Sequence, residues 1–150
     1  MTTLTPVITK EFRESKQKAN MLNPSFATGL STHLLVEMWQ APFSSLANAQ
    51  VIGNILEQAA SDCNNFEGTS DLKVNTYQFD PYGVSATVSN SMLHVLIHTW
   101  PEREYAALDI FAREQSQAHR ILENLKTILN PGHVEVIEIV RGQLLNMEDT

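Results

Sequence analysis

The side chains of this 150-residue chain best suited to chemistry lie in the stretch 93–102, which reads LHVLIHTWPE. His94 and His98 are four residues apart, a spacing that would place two metal ligands on one turn of a helix. The stretch alternates, however, and this predicts a β-strand, in which residues four apart are separated by about 13 Å. Because that distance is too great for one ion and no third ligand is nearby, we expect no metal site. Two partly buried histidines lining a sheet face are the expected alternative.

Composition narrows the class of protein. Apolar residues make up 43% of the chain and charged residues 18%, which is typical of one globular domain. The formal net charge of −7 argues against nucleic-acid binding, because an acidic surface repels phosphates. No apolar run is long enough for a membrane span, and the N-terminus lacks the apolar core of a signal peptide. We therefore expect a soluble, cytoplasmic protein, in which the single cysteine, Cys63, is a small buried residue rather than a reactive thiol.

The first thirty residues differ from the rest and are interpreted as an N-terminal extension, followed by a domain over 31–150. Four of the ten basic residues fall in this extension: Lys10, Arg13, Lys16 and Lys18. A weak apolar stripe predicts at most a marginal helix over 9–22. A solvated extension and a partner-binding arm are the two interpretations of this segment.

Periodicity and turn residues predict two helices among several strands. The predicted strands cover 33–40, 72–79, 84–88, 92–100, 105–112 and 133–140, with a bulge at 136–137. One helix follows an N-cap at Ser44 or Ser45; the other follows Ser116 and ends at Asn130. Tight turns between successive strands predict an antiparallel sheet with both helices on one face, an α+β two-layer sandwich. The other sheet face also carries apolar residues, so we expect a second copy to cover it in a homodimer.

Several of these segments together resemble the prokaryotic S-adenosylmethionine decarboxylases. The motif HTWPE at 98–102 matches the family's active-site segment, and GVS at 83–85 matches a second family segment. HLLVE at 33–37, YAALDIF at 105–111 and VRG at 140–142 are similar to further family strands. The resemblance covers about residues 32–143 in the family's order, and it implies the family's fold.

The resemblance also implies a pocket for an adenosyl ligand. Its candidate residues are Phe79, Ser85, His94, His98, Glu102 and Arg113. In the family, the residues matching Ser85 and His98 assist self-cleavage of the chain. The glutamate matching Glu102 holds the ligand's ribose, and the aromatic residue matching Phe79 stacks on adenine.

Three positions depart from the family's pattern, and all concern chemistry. The Glu-Ser pair whose cleavage yields a pyruvoyl cofactor is replaced by Met92-Leu93, and the catalytic cysteine by Arg113. Leucine has no hydroxyl to attack the preceding carbonyl, and arginine stays protonated at neutral pH. Rescue by Ser91 would shift the scissile bond by about 6–7 Å. We therefore expect no pyruvoyl cofactor and no working catalytic residue, since decarboxylation needs an electron sink.

Three functions are consistent with these residues. The favoured one is an inactive decarboxylase homologue of polyamine (spermidine) metabolism. It would bind S-adenosylmethionine or a related adenosyl ligand, as a homodimer or as a mixed dimer with an active decarboxylase. The alternatives are a lyase-type reaction on S-adenosylmethionine and an ordinary decarboxylase with a non-standard nucleophile.

The position of Arg113 can also be predicted from the turn at 101–104. This turn should pair Trp100 with Tyr105, which brings Arg113 opposite Met92 and Leu93. There, Arg113 could hold a carboxylate or phosphate, form an ion pair with a nearby glutamate (Glu102 or Glu114), or point to solvent.

Overall fold

A computed structural model describes residues 30–62 and 71–143 of the chain. Its nine regular elements are β1 (Ser31–Trp39), α1 (Phe43–Leu46), α2 (Ala49–Ser61), β2 (Lys73–Gln78), β3 (Val84–Ser89), β4 (Leu93–Trp100), β5 (Tyr105–Ala112), α3 (Gln115–Leu129) and β6 (His133–Arg141). The strands form one antiparallel sheet in the order β2-β3-β4-β5-β1-β6. A single 3-10 turn, Pro101–Arg103, joins β4 to β5.

Both long helices lie on one face of the sheet, α2 over β2 and β3, and α3 over β5 and β1. Alternate residues of the central strands are buried beneath them, as in Leu93, Val95 and Ile97 of β4. Strand alternation sends every second side chain to the same face, so these residues form one core with the apolar sides of the helices. The predicted α+β two-layer sandwich is therefore confirmed.

The other face of the sheet, called here the open face, is not covered by any of the described residues. His94, Leu96 and His98 of β4 point to it, because they alternate with the buried residues of that strand. Its centre also carries the partly buried apolar side chains Leu35 and Ile137. A hydrogen bond between His33 Nε2 and Asp109 Oδ1, at 3.1 Å, joins β1 to β5 on this face.

The turn between β2 and β3 is fixed to the start of α2 by one side chain. Gln78 accepts a hydrogen bond from the backbone N–H of Ala49 at 2.7 Å and donates to the carbonyls of Ala47 and Gly83, each at 2.9 Å. Gly83 has φ +108°, and an added Cβ would lie 3.3 Å from the Thr99 carbonyl oxygen. A glycine is thus required where the chain enters β3 beside the end of β4.

The predicted helix caps were wrong at both N-termini. Ser44 and Ser45 lie in the one-turn helix α1, and α2 is capped by Asn48, whose Oδ1 accepts from the N–H groups of Gln50 and Val51. Ser116 lies inside the first turn of α3, whose N-cap is Glu114, with no side-chain hydrogen bond to the helix. Serines near a helix start are a weak signal because any of several polar residues can adopt the extended N-cap conformation.

The predicted bulge at 136–137 was also wrong. β6 pairs with β1 in one unbroken register from Ser31 opposite Arg141 to Trp39 opposite His133. β6 is an edge strand with partly buried residues on both faces, which explains why its apolar pattern does not alternate. The predicted helix over 9–22 and Cys63 lie outside the described residues. No helix within 30–62 or 71–143 is long and apolar enough to cross a membrane.

Candidate functional site

Two surface depressions border the open face, one at each end of β4. The first, called here the His98 depression, has a volume of about 390 Å³. It is lined by Phe79, Tyr82, Gly83, Val84, Ser85, His98, Thr99, Trp100 and Glu102. The turn before β3 and the 3-10 turn after β4 supply most of its wall, while adjacent strands supply its polar centre.

That polar centre is a serine–histidine pair. Ser85 and His98 are directly opposite each other in the β3–β4 register, and Ser85 Oγ lies 2.6 Å from His98 Nδ1. Both side chains are partly buried, so the hydrogen bond is shielded from solvent on one side. The pairing fixes one ring nitrogen of His98 and leaves the other for a ligand or water.

Aromatic rings form the walls of the His98 depression. Phe79 is 48% exposed and meets Tyr77 edge-on, and Tyr82 meets Phe43 in the same way. Trp100 begins a stack that continues away from the depression through Tyr105 to Trp39, with ring centroids 5.3 and 4.2 Å apart. Exposed aromatic faces beside a carboxylate, here Glu102, suit a flat heterocycle carrying hydroxyl groups.

Tyr105 is anchored in this stack by its hydroxyl, which donates a short hydrogen bond to Glu37. Burial raises the pKa of the Tyr105 hydroxyl far above its usual value, and the hydrogen bond and negative charge of Glu37 raise it further. Tyr105 therefore stays neutral over the whole physiological range. The pair fixes the ring against which Trp100 stacks, and so supports one wall of the depression.

The second depression, called here the Arg113 depression, has a volume of about 320 Å³ and lies at the start of β4. It is lined by Asn90, Ser91, Met92, Leu93, His94, Phe111 and Arg113. Leu93 pairs with Ala112, and the Arg113 N–H donates to the Met92 carbonyl at 3.1 Å. The predictions that Trp100 pairs with Tyr105 and that Arg113 lies opposite Met92 are confirmed.

The peptide between Met92 and Leu93 is hydrogen-bonded on both sides. Its carbonyl accepts from Arg113, and the Leu93 N–H donates to Asn90 Oδ1 at 3.0 Å. The Leu93 side chain is 2% exposed and belongs to the core beneath the helices, whereas its neighbour His94 faces the open side. The Leu93 side chain thus belongs to the core, although the residue also borders the depression.

The six predicted site residues are divided between the two ends of β4. Phe79, Ser85, His98 and Glu102 line the His98 depression, while His94 and Arg113 line the other. Residues four apart on one strand, such as His94 and His98, are about 13 Å apart. Within one chain the two groups do not share a cavity.

Sequence reasoning did not single out Asn90, Tyr82 or Trp100 as site residues. Tyr82 could have been found from its place in the turn directly before Gly83, and Trp100 from its place between His98 and Glu102. Asn90 carries only the weak signal of a polar residue in a hairpin turn. Among the described residues no three His, Cys, Asp or Glu side chains form a group that could hold a metal ion.

Comparison with known proteins identifies the family. The S-adenosylmethionine decarboxylase family model matches residues 32–142. The chain belongs to the S-adenosylmethionine decarboxylase family. Two of its relatives are S-adenosylmethionine decarboxylase proenzymes. That of Methanococcus aeolicus is 32% identical over 117 residues, covering 77% of this chain and 97% of its own. That of Thermotoga maritima is 37% identical over 116 residues, covering 76% and 85%.

Solved structures of S-adenosylmethionine decarboxylases have the same fold. The Aquifex aeolicus adenosylmethionine decarboxylase superposes with a TM-score of 0.70 at 26% identity, over 82% of this chain and 99% of that one. The Trypanosoma brucei decarboxylase monomer gives a TM-score of 0.52 at 15% identity, over 71% and 45%, which shows likeness of fold alone. Three of the segments that carry the sequence resemblance, HTWPE at 98–102, GVS at 83–85 and YAALDIF at 105–111, lie on or next to β4, β3 and β5, and each contributes residues to the lining of a depression.

Proposed function

We propose that this protein is a non-cleaving, catalytically inactive member of the decarboxylase family that binds S-adenosylmethionine or a close adenosyl relative. The contrast between the two ends of β4 supports the proposal. At one end the Ser85–His98 hydrogen bond of 2.6 Å lies in a depression with an aromatic wall and a carboxylate. At the other end the position that resembles the family's nucleophile is a leucine buried in the core.

The residues at 92–93 do not fit the precursor of a pyruvoyl group. Leu93 has no oxygen, and its side chain lies under the helices rather than in the depression. Arg113 remains protonated at neutral pH and cannot serve as the acid of a decarboxylation. In the proposed function the chain therefore stays intact, and bound S-adenosylmethionine keeps its carboxylate.

The His98 depression is the proposed adenosyl site. The exposed face of Phe79 offers stacking to the adenine ring, and the Glu102 carboxylate can accept hydrogen bonds from ribose hydroxyls. Trp100 adds an electron-rich face that attracts a cation such as a sulfonium. His98, held by Ser85, supplies a ring nitrogen at the centre.

The proposal includes a homodimer formed by the open faces of two sheets. In this dimer the two-fold axis would lie between the two facing sheets and run perpendicular to their strands. The strands of one subunit would then run opposite to those of the other, with β4 facing β4. The His98 depression of one subunit would then face the Arg113 depression of the other, so that all six predicted residues could contribute to one pocket. The partly buried Leu35, Leu96 and Ile137 would be covered in the same contact.

We place this protein in the cytoplasm and in polyamine metabolism, where a binding-only relative could act as a regulator. An open face similar to that of an active relative would also allow mixed dimers.

Intact mass measurement together with calorimetric titration tests the proposed function. We expect one uncleaved chain of 16.8 kDa that binds S-adenosylmethionine. Phe79→Ala should weaken binding about tenfold through loss of ring stacking, whereas Val51→Ala, at an exposed apolar residue of α2 that does not line the depression, should leave the affinity unchanged. Two fragments, the smaller with a blocked keto-acyl end, would refute the proposal, and so would absence of binding. Mass spectrometry of the incubated ligand would reveal any lyase product.

A further inference from the structure

The Arg113 depression brings together hydrogen-bond donors that are not matched by a carboxylate among the described residues. The Arg113 guanidinium is exposed, and no carboxylate in the described residues forms an ion pair with it. Within the described part of the chain, its one side-chain hydrogen bond is weak and runs from a terminal nitrogen to Met92 Sδ at 3.7 Å. Glu102 lines the other depression, and among the described residues Glu114, the next residue in sequence, forms no ion pair with Arg113. The imidazole of His94 lines the same depression.

Asn90 adds a donor whose orientation is fixed. Its Oδ1 accepts hydrogen bonds from the N–H groups of Met92 at 2.8 Å and Leu93 at 3.0 Å, so the amide cannot turn over without facing two donors. Its Nδ2 is consequently at the other end of the amide, and this buried atom has no acceptor among the residues that the structure describes. A buried donor without a partner is costly. A ligand oxygen that reached this atom after a small displacement of the turn would remove that cost.

Phe111 supplies an apolar wall between these groups, opposite His94 in the β4–β5 register. A guanidinium can hold both oxygens of a carboxylate, and a nearby apolar surface strengthens such a contact by lowering the local dielectric constant. The lining therefore suits one small planar anion better than a cation or a neutral group.

We propose that the Arg113 depression is a carboxylate-binding site that selects S-adenosylmethionine over its decarboxylated form. The inference rests on the proposed adenosyl function and adds where the amino-acid end of the ligand binds. S-adenosylmethionine carries a carboxylate next to its ammonium group. In the proposed dimer, where the two kinds of depression face each other, this carboxylate meets Arg113 and Asn90 of the subunit opposite the one that holds the adenosyl group. Decarboxylated S-adenosylmethionine carries two positive groups and no negative one, so the same guanidinium repels it. The protein then responds to the substrate of a decarboxylase and not to the product.

Competitive titration with three ligands tests this assignment: S-adenosylmethionine, decarboxylated S-adenosylmethionine, and 5′-methylthioadenosine, which lacks the amino-acid chain. Decarboxylated S-adenosylmethionine lacks the carboxylate that pairs with Arg113. Loss of one such charge-assisted pair raises Kd about tenfold to hundredfold. We expect the native protein to bind S-adenosylmethionine about tenfold to hundredfold more tightly than the decarboxylated form. In Arg113→Gln this preference should nearly disappear. Asn90→Asp keeps the acceptor for the two backbone N–H groups, removes the free donor, and should also lower the preference. Arg120→Gln, an exposed arginine on α3, is the matched control and should change nothing.

Binding of methylthioadenosine distinguishes failure of the carboxylate site from failure of the adenosyl function. If methylthioadenosine binds and the other two ligands bind equally well, the carboxylate site is wrong and the adenosyl function stands. If all three ligands fail to bind, the adenosyl function is wrong and the carboxylate assignment is lost with it. A preference for S-adenosylmethionine that survives in Arg113→Gln also overturns the assignment, whereas a native affinity for methylthioadenosine in that variant shows that it is folded.

Discussion

Ser85 Oγ and His98 Nδ1 are 2.6 Å apart, across the β3–β4 pair at the end of the sheet opposite Leu93. This short contact keeps His98 in one ring orientation in the centre of an exposed depression. The relationship is local, since strand register alone brings the two residues together. It does not depend on residue 93, whose side chain is buried in the core at the other end of β4.

Replacing Ser85 by alanine should release the His98 ring without unfolding the protein. One partly buried hydrogen bond contributes about 1 kcal/mol to the free energy of unfolding, so a small loss is expected. Nitrogen-detected NMR of the histidine rings should show a changed tautomer ratio at His98. His94, exposed on the same strand, is the internal control and should keep its resonances. An unchanged His98 spectrum in Ser85→Ala would contradict the role of the hydrogen bond.

Leu93→Ser should destabilise the fold rather than restore a catalyst. The Leu93 side chain is 2% exposed in the core, and its truncation to a hydroxymethyl group should cost about 3–5 kcal/mol in the free energy of unfolding. Urea denaturation would measure the loss. Leu96→Ser, the same substitution on the other face of β4, is the control and should cost less. Equal losses for the two variants would show that position 93 is not a core position.

Alkaline pH should weaken the fold through Tyr105. Its pKa in the folded protein is raised by burial and by Glu37, whereas an unfolded tyrosine ionises near pH 10. Between these two pKa values the folded state binds one more proton, so the free energy of unfolding falls as pH rises above about 10. Thermal melts from pH 8 upward should show this slope, and Tyr105→Phe should reduce it. Tyr77→Phe, which lies outside the stack, should leave the slope unchanged.

Local sequence signals predicted most of the fold. Alternation identified the strands, and the turn at 101–104 set the β4–β5 register well enough to place Arg113 opposite Met92. The same signals failed at the first turns of α2 and α3, where the N-cap depends on which polar residue takes an extended backbone. They failed again at 136–137, because an edge strand is not required to bury one face only.

The candidate site was less predictable than the fold because it depends on distances along a strand. The resemblance gathered six residues into one pocket, while β4 separates His94 and Arg113 from Ser85 and His98. Because a strand rises about 3.3 Å per residue, the separation along β4 could have been predicted from the residue spacing. What the sequence could not supply is the direction of the Leu93 side chain and the unpaired donor of Asn90, because both depend on how the hairpin packs.

The open face should mediate self-association. Leu96 lies at its centre, so Leu96→Arg would bury an unpaired charge in the proposed interface and should convert a dimer to a monomer. Sedimentation velocity would measure the change in mass. Val51→Arg adds the same charge on α2, where Val51 is 41% exposed, and should leave the dimer intact. A monomeric native protein, or a dimer unaffected by Leu96→Arg, would exclude this interface.

Ligand entering the His98 depression should change the fluorescence of one tryptophan and not the other. The chain has two tryptophans, and Trp100 lines the depression, whereas Trp39 lies at the far end of the stack through Tyr105. A heterocycle stacked near Trp100 should quench its fluorescence emission. In Trp39→Phe, which keeps Trp100, addition of S-adenosylmethionine should therefore still quench the emission. Trp100→Phe should lose the signal, with calorimetry showing whether binding itself survives. A signal that depended on Trp39 instead would place the ligand outside this depression, since the two rings are separated by Tyr105.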